Sequence, residues 1–374
     1  MVLMSQSTQA DESATETLLA TSVHDVRYFA SLLRGVNFIN RATVTISEGG
    51  FTVTVEEART LLATAYVFAD IFEEYTYHAP PTSPSDSPPA SPAPFGTQAS
   101  TSSRTSNTML EIPLNVLIDC INIFGAAGPG AGTGVKHKQW VRAGDDDRER
   151  EDATRNNGRA NDGNGRIEQY FSNGDNATGM RMSYAGEGHP LVLLIAEGSP
   201  GLTATCEITT YEAEPHLELP FDAEQTVLKI ILKSSWLRDA LSELDPSCEK
   251  LTFIGNPPTQ TASSRASTSR TPGPVAKPML RIQAAGTFGS TEMDYPNDRE
   301  VLETFECLQT VNFSYRFGHI SRTLRALQSS TKTSLRIDEE GLLSLQFLMP
   351  SPKPRGGTSD AFIEFRCLPL DETQ

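Results

Sequence analysis

Thirty-one consecutive residues, Cys307–Ile337, contain neither Asp nor Glu yet carry Arg316, Arg322, Arg325, Lys332, Arg336 and His319. The chain as a whole is acidic, with 47 Asp and Glu against 31 Lys and Arg and a formal net charge of −16. That balance excludes a protein that coats nucleic acid with its entire surface, because phosphate binding needs Lys and Arg. It leaves room for one that gathers its cations on a single face. Read as a helix over Ser314–Ser329, the acid-free segment sets Phe313, Phe317, Ile320, Leu324 and Leu327 within one quadrant, at about 100° per residue. Arg316, His319, Arg322 and Arg325 then fan across the opposite side.

Weaker versions of the same pattern recur. Arg27 and Arg34 stand seven residues apart, hence on one face of an amphipathic stretch, His24–Asn37, opposite Phe29 and Leu33. Lys233 and Arg238 open a third helix, Ser234–Leu244, whose outer face Asp239 and Glu243 dilute. A fourth, Pro113–Phe124, has no basic residue. One basic helix face by itself usually means only exposure to solvent. Recurrence on three helices of so acidic a chain argues instead for a shared positive wall. Such a wall would contact phosphates and not base edges, and so bind without sequence preference.

The elements that must hold this wall can be traced along the chain. Around Glu48-Gly49-Gly50 two alternating runs, RATVTIS and FTVTVEE, predict a hairpin. AYVFADIFEEYTY, MRMSY, PLVLLIA and LTATCEITTY predict further strands, and TVLKIIL opens a second set. CEKLTFI, MLRIQAAG, GTFGSTEMDY, a hairpin at Glu340-Gly341 and AFIEFRCLPL follow. Three polar segments interrupt them and read as flexible insertions at loop tips: 79–107 (Pro/Ser/Thr-rich), 126–178 (Gly-rich, then DDDRERED) and 255–277. The order helix, strands, helix, strands occurs twice. The expected fold is therefore α+β, a duplicated domain with antiparallel sheets and helices on one side. A disordered tail (1–16) precedes a first domain (17–210), an acidic connector (211–224) and a second domain (225–374).

Other chemistries find little support in the residues. The five cysteines (Cys120, Cys206, Cys248, Cys307, Cys367) are widely spaced and form no CxxC pair, which points to core filling in a reducing compartment and to no metal site. No GxxxxGK[ST] motif is present, so no ATP-hydrolysing site is expected, and no cofactor. The longest unbroken apolar run, Leu191–Ala196, is far too short to span a bilayer, and the N-terminus lacks the pattern of a secretory leader. His189, before Pro190, reads as a surface turn residue. Ser83, Ser87, Ser91 and Thr271, each before Pro, are candidate phosphorylation sites.

The blocks LLRGVNFINRATVTISEGGFTVTVEEARTLLATAYVFADIFEEYTY, LNVLIDCINIFG, MRMSYAGEGHPLVLLI, KIILKSSWLRDALSELD, GTFGSTEMDYPND and GLLSLQFLM resemble, in order, the Rad-one family of 9-1-1 checkpoint clamp subunits. That family is related in fold to the proliferating-cell nuclear antigen. The resemblance implies two tandem sliding-clamp domains, with outer antiparallel sheets and inner helices, in a nuclear heterotrimer with two other checkpoint clamp subunits. It implies loading onto double-stranded DNA by an ATP-dependent clamp loader, signalling of damage, and recruitment of repair enzymes near the connector. Positions facing the hole map onto Arg27, Arg34, Lys233, Arg238, Arg316, Arg322 and Arg325. Subunit edges map onto Leu202–Thr210, with Thr203, Thr205 and Thr209, and onto Thr287–Tyr295, with Thr287, Thr291 and Met293; such joints are a form of strand addition.

Two other functions are weighed against this one. A 3′–5′ exonuclease needs carboxylates converging on metal ions. The Asp145-Asp146-Asp147 run falls in an insertion, and Glu56, Glu57, Asp294, Asp298 and Asp338 read as strand ends and turns, so no catalytic residue is assigned. A replication processivity clamp would share the fold but trimerise with itself.

Overall fold

The computed structural model describes residues 17–80, 107–125, 178–197, 201–258, 278–295, 298–350 and 360–371. The tail 1–16 lies outside them. So do the expected insertions, apart from Ala79, Pro80, Asn107, Thr178 and residues 255–258 at their margins, and so do Ser83, Ser87, Ser91 and Thr271.

In chain order the first half reads β1 (Leu19–Val23), α1 (Val26–Val36), β2 (Arg41–Ser47), β3 (Gly50–Glu57), β4 (Leu61–Phe68) and β5 (Glu74–Tyr77), then β6 (Thr108–Pro113), α2 (Leu114–Ile121), β7 (Thr178–Tyr184), β8 (Leu191–Glu197) and β9 (Thr203–Ile208). The second half reads β10 (Thr226–Lys233), α3 (Ser234–Ser242), β11 (Cys248–Gly255), β12 (Leu280–Gly286), β13 (Gly289–Tyr295) and β14 (Leu302–Cys307). It continues with β15 (Val311–Arg316), α4 (Phe317–Ser321), α5 (Leu324–Ser329), β16 (Lys332–Asp338), β17 (Leu343–Met349) and β18 (Ala361–Cys367). The repeat is finer than the sequence pattern suggests. Each of four units is a strand, a helical segment and at least three strands, and the leading strand pairs with the sibling unit: β1 with β7, β6 with β2, β10 with β16, β15 with β11.

All strand pairings between these elements are antiparallel, giving three sheets. Five strands run β5-β1-β7-β8-β9, nine run β14-β10-β16-β17-β18-β4-β3-β2-β6, and four run β13-β12-β11-β15. The expected α+β architecture, antiparallel sheets with helices against them, is the one found. The nine-stranded sheet spans both halves through β4 and β18, in register from Phe362↔Tyr66 to Cys367↔Leu61. Beneath this joint the inward residues Ala63, Ala65, Val67, Ile363 and Phe365 are fully buried against the helices.

The helices follow from their spacing. α1 turns Val26, Phe29, Ala30, Leu32, Leu33 and Val36 inward, and the Asp25 side chain caps it by accepting from the Arg27 backbone N–H, a contact worth about 1 kcal/mol. Neighbours in the helical layer are α2–α1–α5–α3. Where α1 crosses α5 and β18 the contact is Gly35; a Cβ there would lie 2.3 Å from Ile363 Cδ1 and 3.5 Å from Ala326 Cβ. In the Ser47–Gly50 turn, Gly50 holds φ +130°, and a Cβ would lie 2.2 Å from the Val67 carbonyl. The β3–β4 turn instead uses Ala58 and Arg59 at φ 52° and 56°, a strained choice for residues bearing a Cβ.

One expected helix is corrected. Ser314–Ser329 is not continuous: Val311–Arg316 is strand β15, paired to β11, and the helical remainder breaks at Arg322-Thr323. Alternation Val311, Phe313, Tyr315 carries the strand signal, which the spacing of larger apolar residues beyond it masked. β1, β6 and β14 were also not foreseen.

Two substitutions test these contacts. Gly35→Val should cost about 1–3 kcal/mol by overpacking the α1–β18 crossing, read as a lower urea midpoint. Ala58→Asn with Arg59→Gly should raise stability by about 1–2 kcal/mol by relieving the left-handed turn, read as a higher Tm.

Candidate nucleic-acid interface

On α1, Arg27, Ser31 and Arg34 recur at four and three residues, the face turned from the core. α5 exposes Arg325, Gln328 and Ser329, and α3 exposes Ser235, Trp236, Asp239 and Ser242 with Arg238 half-buried beside them. Lys233 ends β10 and Arg316 ends β15, both exposed at the strand-to-helix junctions. α2 exposes Asn115, Val116 and Asp119 and no cation. α1 and α5 are neighbours, so Arg34 and Arg325 belong to adjacent helices of the two halves.

These cations differ in their surroundings. Arg27 is paired with Asp25 at 2.5 Å, Arg238 with Asp239 at 2.9 Å, and Arg322 with Glu57 at 3.1 Å. Exposed pairs of this kind contribute about 0–1 kcal/mol, so a phosphate could exchange for the carboxylate at small cost. Arg325 donates from Nη1 to the Asn37 carbonyl, the cap of α1, at 2.5 Å. Partial burial lowers the pKa of Arg34 from its ordinary value. Among the described residues, Arg34, Lys233 and Arg316 have no carboxylate partner.

Three residues of the acid-free segment are not on this wall. His319 is 7% exposed, its Nδ1 3.8 Å from the buried Cys367 Sγ, which corrects its expected place among the outward arginines: the broken helix turns it inward. Lys332 pairs with Glu303 at 2.8 Å. Arg336 lies on the opposite face of the nine-stranded sheet, where it and Arg366 flank the buried Glu364 at 3.3 and 2.9 Å.

That opposite face carries the connector, 211–224, which the sequence marked only by its acidity. Tyr211 bridges to Glu111, and Arg41 joins Glu111 and Glu214 at 2.5 and 2.8 Å. The Leu217 N–H donates to Glu56, and Arg366 donates to the Leu219 carbonyl. Arg336 sits 4.8 Å from the centre of the Phe221 ring, and Leu219 buries against Leu62 and Leu342. Clefts of about 250 and 330 Å³ flank this strap, the first lined by Arg41, Arg59 and Glu56, the second by Thr52, Tyr66 and Pro220.

The expected subunit edges lie at sheet edges. β9 closes the five-stranded sheet and β13 the four-stranded one. Thr203, Thr205, Thr291 and Met293 are within these strands, whereas Thr209 falls just past β9 and Thr287 in the β12–β13 turn. Glu56 and Glu57 end β3 and Asp338 ends β16 as expected, but Asp294 is inside β13, paired with Arg281 at 2.6 Å. Among the described residues no group of three or more His, Cys, Asp or Glu could hold a metal ion. None of their helices is long and apolar enough to cross a membrane.

A family model described as repair protein Rad1/Rec1/Rad17 matches residues 17–349. Cell cycle checkpoint protein RAD1 of Homo sapiens is 28% identical over 372 residues, covering 100% of this chain and 98% of that protein. DNA repair exonuclease REC1 of Mycosarcoma maydis is 28% identical, over 96% of this chain and 97% of its own. DNA damage checkpoint control protein rad1 of Schizosaccharomyces pombe is 35% identical over 51% of this chain and 52% of that protein.

Burial, and secondarily the nearby Arg316, holds the His319 pKa below its ordinary 6.5. Protonation therefore favours the unfolded chain: the stability carried by neutral His319 is complete above about pH 6.5 and is lost as pH falls below it. The urea midpoint should drop between about pH 7.5 and pH 5, and His319→Gln should flatten that drop.

Proposed function

The chain belongs to the repair protein Rad1/Rec1/Rad17 family, and from that membership we propose that it acts in the DNA-damage checkpoint as one subunit of a heterotrimeric sliding clamp. Its antiparallel sheets and short helices have the clamp fold. In this reading the helical layer faces the DNA, and Arg27, Arg34, Lys233, Arg238, Arg316, Arg322 and Arg325 meet the phosphates. The observation that supports it is the adjacency of α1 and α5, which sets cations from both halves side by side in an otherwise acidic protein. Contacts to the backbone hold without reading sequence, so the ring slides. The edges β9 and β13 join the two other clamp subunits by strand addition. An ATP-dependent loader places the ring on DNA in the nucleus, and repair enzymes dock beside the connector.

The cations are not equivalent in this role. Arg322 and Arg325 also tie the second half to Glu57 and to the end of α1, so their loss weakens the fold as well as DNA contact. Arg34, Lys233 and Arg316 separate the two effects. The triple change Arg34→Glu, Lys233→Glu and Arg316→Glu should leave co-purification with the clamp subunits intact. Retention of the loaded ring on DNA should fall, and the slope of log affinity against log salt should flatten by up to about 0.9 for each lost contact. Undiminished retention would remove the wall from the mechanism.

The name of the Mycosarcoma maydis relative favours a second reading, a 3′–5′ exonuclease in repair. Incubating the purified chain with end-labelled single-stranded DNA and Mg²⁺ or Mn²⁺ decides it. Under the clamp reading the label stays intact. Degradation abolished by one carboxylate substitution would establish the nuclease.

A further inference from the structure

The two sheet edges assigned to the subunit joints, β9 and β13, carry the same sign of charge. Along β9, Thr203, Thr205 and Glu207 alternate with Ala204, Cys206 and Ile208, and the first set is exposed. α2 packs beside this strand and adds the exposed Asp119. Neither α2 nor β9 contains a Lys or Arg. Arg181, across from Leu194 and so from Thr205, stands two strands in, about 10 Å from the edge at ordinary strand spacing.

At the other edge, β13 exposes Ser290, Glu292 and Asp294. Both acids converge on one cation, Arg281 of β12, at 2.9 and 2.6 Å, which leaves the pair of strands with an excess negative charge. Burial, and then the nearby carboxylates of Asp239 on α3 and Glu243 at its C-terminal cap, raise the pKa of Tyr295, the last residue of β13, and Arg238 is already paired with Asp239. Glu249 accepts from Thr287 at the near turn. Lys250, in register with Ala285 and through it with Ser290, again lies two strands in.

Head-to-tail assembly of identical copies would set β9 and α2 of one molecule against β13 and α3 of the next. Asp119 and Glu207 would then meet Glu292, Asp294, Asp239 and Glu243 as water leaves the joint, and like charges brought together this way oppose association. We propose that the two acidic edges prevent this chain from closing a ring with itself and select, on both sides, partner edge strands that present Lys or Arg. This rests on the clamp reading above and adds the chemistry of its joints. A heterologous interface needs two different surfaces that fit, and here both of the chain's own surfaces are alike in charge.

The experiment uses the full chain alone and co-expressed with the two other clamp subunits from the same organism. Alone, it should sediment as a monomer. Its assembly with either subunit should weaken roughly tenfold as salt rises from about 0.1 to 0.5 M. Asp119→Lys with Glu207→Lys makes one edge basic and the other acid: this variant should self-associate at low salt and lose its partner on the altered side. Asp119→Asn with Glu207→Gln preserves size and should fall between the two. A Lys variant with unchanged circular dichroism and Tm that stays monomeric and keeps both partners would overturn the proposal, as would a wild-type homotrimer. Failure of the clamp reading looks different: the unaltered chain then binds neither subunit at any salt.

Discussion

Between Leu61–Phe68 and Ala361–Cys367 run the hydrogen bonds through which two halves share one sheet. Remove that pairing and the nine strands separate into two smaller sheets, each with a new open edge. The burial beneath it explains why the pairing holds. Ala63 and Ala65 are small, so α1 can lie close above them, and Gly35 removes the last side chain from the crossing with Ile363 and α5. Three substituent-poor positions thus bring helices from both halves into one layer. Arg322 with Glu57, and Arg325 with the Asn37 carbonyl, add polar ties across the same divide.

The two faces of the joined sheet have opposite characters. The helical face is apolar beneath, and above it α1 and α5 expose Arg27 and Arg325 while α2 and α3 expose Asp119 and Asp239. On the other face the connector crosses Glu364, Arg336 and Arg366, groups that would be costly to bury unpaired. Here each charge has a partner, and Leu219 and Phe221 complete the cover. The hydrogen bonds that Arg41 donates to Glu111 and then to Glu214 raise its pKa, so this anchor stays cationic wherever the protein is folded. The connector is therefore strapped to its sheet along its length.

Much of this was legible in the residues. The hairpins at Gly50 and Gly341, the apolar faces of α1, α2 and α3, and most strands announce themselves by period. What failed has a physical cause. In Val311–Ser329 a strand passes directly into a helix, and aromatic residues at Phe313 and Phe317 satisfy a helical spacing across the junction; only pairing with β11 decides the matter. His319 was assigned outward because an unbroken helix would point it there. The strands β1, β6 and β14 are short and find their identity in distant partners, which local pattern does not encode. Arg336 shares the acid-free segment with Arg325 but emerges on the other side of the sheet, since successive side chains of a strand alternate faces and its neighbours Leu335 and Ile337 take the buried one. The edges β9 and β13 were placed by likeness to a family, and their shared acidity became evident only once α2, α3 and β12 stood beside them.

The wide separation of β4 and β18 also shapes how the molecule must be made. Tyr66 and Glu364, which touch across this joint, are 298 residues apart in sequence. During synthesis the first half emerges with the edge of β4 bare and waits for nearly the rest of the polypeptide before that edge is covered. An unpaired strand edge invites the wrong partner, and long-range pairings of this kind form slowly. Biogenesis is thus the stage at which this fold is most exposed to error, and the stage at which a chaperone has most to protect.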